Sequence, residues 1–168
     1  MWGGAVLVEA ILSGRDAIGY DINELALLVS KAKTTFLSRD QIEATGKQVL
    51  EKAKLYSGPS LCFGQSERVD YWFKPYMFSP LSALRSSIDF LRDAEIKNLL
   101  RVVFSATVRN VSLTYRNEIR LRRMTIAEQD LFNPDVFRKF EEKLLEAARR
   151  VPELPLGSKT SVVSLTLR

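Results

Sequence analysis

The residues with the clearest potential for chemistry lie near the start of the chain, where Asp21 follows the apolar run 17–20. This pattern predicts a short buried strand that ends on a carboxylate. A glycine pair, Gly3 and Gly4, precedes a predicted helix that carries Glu9. In open α/β sheets, a carboxylate at a strand tip binds the ribose of a nucleotide-like ligand, and a glycine turn lets the backbone approach that ligand. The spacing therefore indicates part of a nucleotide-type site.

Each of these features also has a purely structural explanation. Asp21 can interact with the dipole of the helix that follows it, because acidic residues stabilise helix N-termini. The pair Gly3 and Gly4 can simply form a flexible chain end. Spacing alone does not separate the two explanations.

Composition narrows the range of functions. The chain has 168 residues, of which 46% are apolar and 27% charged, which is typical of one soluble globular domain. No apolar run is long enough to span a membrane, so we expect no membrane partner. The single cysteine, Cys62, fits a reducing cytoplasm. The absence of histidine excludes Ser-His-Asp and Cys-His catalysis and removes the commonest metal ligand, so no metal is expected.

Beyond Asp21 the chain is predicted to be mainly helical, with a final strand over 161–167. Asn23 is placed to cap the second helix, whose apolar face is predicted to be Leu25, Leu28, Val29, Ala32 and Phe36. Ser79 and Pro80 are predicted to open a later helix as its cap and first residue. Helical periodicity covers the ranges 39–56, 81–91, 95–111 and 135–150.

Five arginines form the densest positive patch of a chain whose net charge is +5. They surround a single acidic residue, Glu118, and would suit contacts to nucleic-acid phosphates. The alternative is a solvated helix face. The nearby aromatic trio 71–73 can stack on bases or belong to the core. The arginines are Arg109, Arg116, Arg120, Arg122 and Arg123.

The order of residues near the start resembles S-adenosylmethionine-dependent DNA methyltransferases, and more narrowly those that methylate adenine N6 or cytosine N4. The resemblance implies that Asp21 binds the cofactor ribose and that Gly3 and Gly4 line the methionine end of the cofactor. Glu9 matches the acid of the first helix, and Asn23 belongs to the same cofactor-binding segment. The resemblance rests on Leu7–Ala10, Gly14–Arg15, Ala17–Gly19, Asp21–Asn23, Leu25–Ala26 and Lys31–Lys33.

The resemblance implies an α/β fold: a partial Rossmann-like methyltransferase sheet with a large, mainly helical insertion. Residues 1–38 would form a partial cofactor-binding βα unit, 39–156 the helical insertion that contacts DNA, and 157–168 a strand returning to the sheet. The family's catalytic motif, Asp/Asn/Ser-Pro-Pro-aromatic, is absent from the sequence. We therefore expect a fragment that starts inside the cofactor motif, carries no catalytic residue and is inactive alone.

The function implied by the resemblance is site-specific DNA methylation of the restriction-modification type. S-adenosyl-L-methionine would be the cofactor and DNA the substrate. The alternative is a non-catalytic, basic helical module that binds DNA or a partner. Such a module would act as a subunit, and a second polypeptide would carry the catalytic motif.

Overall fold

The computed structural model describes residues 4–58, 69–115, 120–150 and 160–164. These residues are mainly helical and contain two strands. The elements are α1 (Ala5–Leu12), β1 (Ala17–Asp21), α2 (Glu24–Thr34), α3 (Arg39–Lys54), α4 (Val69–Trp72), a 3-10 helix (Pro75–Met77), α5 (Phe78–Asp89), α6 (Ala94–Val111), α7 (Ile126–Leu131), α8 (Val136–Arg150) and β2 (Thr160–Ser164). Cys62 lies outside the described residues.

The two strands pair in parallel and form a small sheet. Ala17 lies opposite Thr160, and Asp21 lies opposite Ser164. The first and the last predicted strands are thus neighbours, although most of the chain separates them in sequence. Residues 165–167 of the predicted final strand lie outside the described residues. Two strands do not amount to a Rossmann-type sheet, which stays a prediction.

Four helices, α3, α5, α6 and α8, pack against one another and form the main core. Their inward positions match the helical periodicity of the sequence. Burying a large aliphatic or aromatic side chain contributes roughly 1.5–3 kcal/mol, so these residues provide much of the stability of the fold. The largest side chains with almost no exposure are Ile42, Met77, Leu81, Leu84, Ile88, Leu100, Phe140 and Leu144.

Several helix starts follow the local sequence. The side chains of Asn23, Ser38 and Asp93 accept hydrogen bonds from backbone amides in the first turns of α2, α3 and α6. The predicted cap of α5 was wrong. That helix begins at Phe78, directly after the 3-10 helix, so Ser79 and Pro80 lie inside its first turn. The preceding 3-10 turn supplies the helical geometry that a side-chain cap would otherwise start.

Helix α2 connects the sheet to the helical core, because it contacts α1, both strands and α6. Its predicted apolar face was partly wrong. The structure buries Ala26, Leu27, Ser30 and Ala32, whereas Leu25 and Phe36 are exposed. A helix held between two partners buries two sides, and the small residues allow close approach on both. Periodicity predicts a single face and therefore missed this arrangement.

One face of β1 is exposed, contrary to the predicted buried strand. The side chains of Ile18 and Tyr20 are 63% and 59% exposed, and Ile22, just beyond the strand, is 70% exposed. The opposite face, at Gly19, lies against Leu7 of α1. Helices cover one side of the strand, and nothing in the described part of the chain covers the other. Among the described helices, none is long and apolar enough to cross a membrane.

Candidate functional site

A cleft opens where the N-terminus of α1 meets the end of β1 and one side of α2. Its volume is about 210 Å³. It is small compared with typical ligand pockets, which measure roughly 300–1,000 Å³. The described residues therefore line a cleft that is smaller than a typical ligand pocket. The lining residues are Gly4, Ala5, Val6, Leu7, Gly19, Tyr20, Asp21, Leu27 and Ser30.

Gly4 is the N-cap of α1 and has a left-handed backbone, with φ 74° and ψ 16°. Its carbonyl accepts a hydrogen bond from the Val8 amide at 3.1 Å. A Cβ at this position would lie 2.9 Å from Ser30 Oγ and 3.1 Å from Ser30 Cα. The position therefore needs glycine for two reasons: the backbone conformation and the close approach of α1 to α2.

Asp21 contributes a half-buried carboxylate to the cleft. Its Oδ1 accepts a hydrogen bond from the Asn23 amide at 2.9 Å. This bond orients the carboxylate and occupies one of its two oxygens. The carboxylate is thus held at the end of the strand, the position that suits an acceptor for two vicinal hydroxyls.

The other predicted cofactor residues are placed differently. The Asn23 side chain caps α2, and its Oδ1 accepts from the amides of Leu25 at 2.9 Å and Ala26 at 3.3 Å. Glu9 is exposed on α1, and neither Glu9 nor Asn23 lines the cleft. Gly3 lies outside the described residues. The cleft therefore brings together Gly4 and Asp21.

The residues of the cleft fit the adenosine part of S-adenosylmethionine in chemical terms. An oriented carboxylate matches the ribose hydroxyls, and apolar side chains such as Leu27 match a base. Gly4 allows α1 to lie close to Ser30 of α2 at one side of the cleft, where a larger residue would clash with Ser30. The fit is therefore to part of the cofactor.

The described parts of the arginine-rich segment, residues 113–115 and 120–124, pair in antiparallel fashion and do not form a helix face. We call these two paired stretches the hairpin. The Met124 amide donates to the Leu113 carbonyl at 2.9 Å, and the Tyr115 amide donates to the Arg122 carbonyl at 3.1 Å. Thr114 and Arg123 form an antiparallel bridge between the two arms. Residues 116–119 lie outside the described residues. The solvated-helix alternative therefore does not hold for the described part of this segment.

The predicted DNA-contacting arginines are distributed along and beside the hairpin. Arg109 is exposed near the end of α6, and Arg120 and Arg122 are exposed on the second arm. Arg123 is half-buried, and Arg116 lies outside the described residues. The structure thus presents three of the five predicted arginines at the surface.

Two tyrosines hold the paired arginines of the hairpin. The Arg122 guanidinium lies 4.4 Å from the Tyr115 ring centroid, and the Arg123 guanidinium lies 4.1 Å from that of Tyr71. Cation–π contacts of this kind contribute about 0.5–1 kcal/mol at exposed sites. Within the aromatic trio, Phe73 packs against the core, which is one of the two predicted roles. Tyr71 is exposed and contacts Arg123, which was not predicted, and the stacking of the trio on bases stays a prediction.

Glu128 of α7 ties the hairpin to the next helix. Its Oε2 accepts hydrogen bonds from the Thr125 amide at 2.9 Å, from Thr125 Oγ1 at 2.6 Å, and from the Tyr115 hydroxyl. The bonds from Thr125 and Tyr115 lower the pKa of the Glu128 carboxyl. The same carboxylate raises the pKa of the Tyr115 hydroxyl. Neither Tyr115 nor Glu128 was predicted from the sequence, although Thr125 and Glu128 have the spacing of a capping box.

Metal binding has no support within the described ranges, where no group of three or more Cys, Asp and Glu residues is placed to hold an ion. The candidate site therefore consists of a cleft with one carboxylate and a separate basic hairpin.

Comparison with known proteins identifies one relative of known activity. Over 151 residues the chain is 30% identical to the Type II methyltransferase M.MvaI of Kocuria varians. The match covers 86% of this chain and 33% of that protein, so the chain spans about a third of the length of its relative. No protein-family model matches the chain, and no solved structure matches it significantly.

Proposed function

We propose that this chain is the part of a site-specific DNA methyltransferase that binds cofactor and DNA. Its similarity to the Type II methyltransferase M.MvaI supports this proposal. The methyl donor would be S-adenosylmethionine, and the acceptor an exocyclic amine of a DNA base. The observation that carries the proposal is the meeting of Gly4 and Asp21 on one cleft, since the resemblance assigns both residues to the cofactor.

In this proposal, the chain has three parts with different roles. Residues 1–38 form the cofactor-binding unit, 39–156 form a helical insertion that contacts DNA, and 157–168 return a strand to the sheet. The pairing of β2 with β1 supports this division, because it joins the last part to the first. Bound S-adenosylmethionine would supply an activated methyl group, and the chain would orient it through Asp21 and the backbone at Gly4.

The hairpin would contact the phosphates of DNA. Guanidinium groups donate forked hydrogen bonds to phosphate oxygens, and they release counterions when they bind. Arg109, Arg120 and Arg122 are exposed and would make these contacts, and Arg116 stays a predicted contact.

Calorimetric titration with S-adenosylmethionine tests the cofactor part of the proposal. We expect the chain to bind the cofactor, and Asp21→Ala to weaken binding by roughly 10- to 100-fold, since hydrogen bonds to a charged group contribute about 1.5–3 kcal/mol. Asp16→Ala is the matched control, because Asp16 precedes the same strand at its opposite end and does not line the cleft. Equal binding by the two variants would overturn the assignment of Asp21.

A methyl-transfer assay tests whether the chain acts alone. With labelled S-adenosylmethionine and DNA, we expect no incorporation above background, because the sequence lacks the Pro-Pro-aromatic catalytic motif. Incorporation by the isolated chain would show that this expectation is wrong.

A second candidate is a non-catalytic subunit that binds DNA or a partner and is completed by a second polypeptide. The exposed face formed by Ile18, Tyr20 and Ile22 favours it, because parallel sheets are normally covered on both faces. Salt-dependent DNA binding without cofactor binding would support this candidate over the first.

A further inference from the structure

The hairpin carries two adjacent arginines that the structure places in different surroundings. Arg122 is exposed against Tyr115, whereas Arg123 is half-buried against Tyr71. The buried Nε of Arg123 has no hydrogen-bond partner within the described part of the chain. Arg123 thus anchors the hairpin to α4, and Arg122 is the arginine presented outward.

A short series of contacts connects Arg122 to Glu128. The Arg122 guanidinium lies over the Tyr115 ring, and the Tyr115 hydroxyl donates to the Glu128 carboxylate. Thr125 fixes that carboxylate through its amide and its hydroxyl. A capping box needs only Thr125 and Glu128, so the bond from Tyr115 goes beyond what the cap of α7 requires.

We propose that Glu128 is a positioning residue for DNA binding: through Tyr115 it holds the Arg122 guanidinium in the orientation that contacts DNA. This inference rests on the proposed DNA-binding function of the hairpin. Fixing a long, flexible side chain before binding reduces the conformational entropy that is lost on binding. Glu128 itself is negatively charged and would repel phosphate, so its benefit to binding must pass through another residue.

The sign of one substitution separates positioning from simple electrostatics. Glu128→Gln removes a negative charge, which by itself strengthens DNA binding. The neutral glutamine oxygen accepts from the Tyr115 hydroxyl more weakly than the carboxylate does. Looser positioning instead weakens DNA binding, and we expect a decrease of roughly three- to tenfold. Glu51→Gln is the matched control: it removes an exposed carboxylate of α3, outside these contacts, and we expect equal or slightly tighter binding. Tyr115→Phe keeps the ring and the negative charge of Glu128 but removes the hydroxyl bond, so it should weaken DNA binding at least as much as Glu128→Gln does.

A double-mutant cycle on duplex DNA tests the route through Arg122. Arg122→Ala should weaken DNA binding and reduce the slope of log K against log salt by about 1. In the Arg122→Ala background, Glu128→Gln should cause no further loss of affinity. Equal losses in both backgrounds, or tighter binding by Glu128→Gln alone, would overturn the positioning role and leave the DNA-binding function intact. If the unaltered chain does not bind DNA, the proposed DNA-binding function fails and this inference fails with it.

Discussion

At the scale of single residues, Asp21 at the end of β1 and Asn23 before α2 have different roles. Asp21 faces the cleft, and Asn23 caps α2, although the resemblance assigns both to the cofactor. The two roles are linked, because the Asn23 amide orients the Asp21 carboxylate. Asn23 thus acts on the cleft indirectly, from the start of α2. This agrees with its predicted role as a helix cap and differs from the ligand-binding role that the resemblance implies.

Gly4 allows a prediction with an internal control. Gly4 and Gly14 both have positive φ, 74° and 69°, so Gly→Ala at either position introduces a left-handed alanine that costs about 1–2 kcal/mol. An added Cβ meets Ser30 at Gly4 but meets nothing within 4 Å at Gly14. We therefore expect Gly4→Ala to lower the free energy of unfolding more than Gly14→Ala does.

Urea denaturation measures this difference, and titration with S-adenosylmethionine measures its effect on the cleft. Only Gly4→Ala should weaken cofactor binding, because only Gly4 lines the cleft. Equal stability and equal affinity in the two variants would contradict the close approach of α1 to α2.

At the scale of elements, a hydrogen bond from Tyr115 to the Glu128 carboxylate connects the hairpin to α7. Bonds from Thr125 and Tyr115 hold the pKa of Glu128 below its usual value. A carboxyl with a depressed folded-state pKa stabilises the fold above its unfolded pKa, about 4.3, and this contribution is lost as pH falls through the folded-state value. We expect the hairpin to stay attached near neutral pH and to loosen only in acid.

An NMR titration of the Thr125 amide, which donates to Glu128, measures this transition. Its midpoint should lie below about 4.3, the pKa of an unperturbed glutamate. In Glu128→Gln the transition should be absent, because no ionisable group remains at the acceptor. A midpoint at or above the unperturbed value would contradict the hydrogen bonding of the Glu128 carboxylate by Thr125 and Tyr115.

The sequence predicts an element well where a single apolar side of that element packs against the core. Helices α3, α6 and α8 were predicted correctly because one apolar stripe of each faces the core, as Ile42, Leu100 and Phe140 do. The hairpin was not predicted. Its first stretch contacts Trp72, which lies far earlier in the chain, and Glu128, which lies after the hairpin, and such contacts leave no periodic pattern in the sequence. In the cleft, Asp21 was predictable from its strand, whereas Ser30 was not, since its role comes from packing against Gly4.

At the scale of the whole molecule, the structure combines a covered helical core with a sheet that is covered on one side. Helix α2 connects the sheet to the helical core, because it contacts both strands and also α6. The relative M.MvaI is about three times as long as the stretch it shares with this chain, since the match covers 33% of it. Under the proposed function, further polypeptide would cover the exposed face of β1.

The exposed face leads to a prediction about association. Without a cover, a contiguous apolar patch promotes self-association, so we expect concentration-dependent oligomers of the isolated chain in sedimentation experiments. Ile18→Ser combined with Ile22→Ser should shift the chain toward monomer, and it should change stability little because both side chains are mostly exposed. Leu55→Ser is the control, since Leu55 is 84% exposed but lies at the end of α3, away from the sheet. A chain that is monomeric at every concentration, or an equal shift in the control, would show that this face does not drive association.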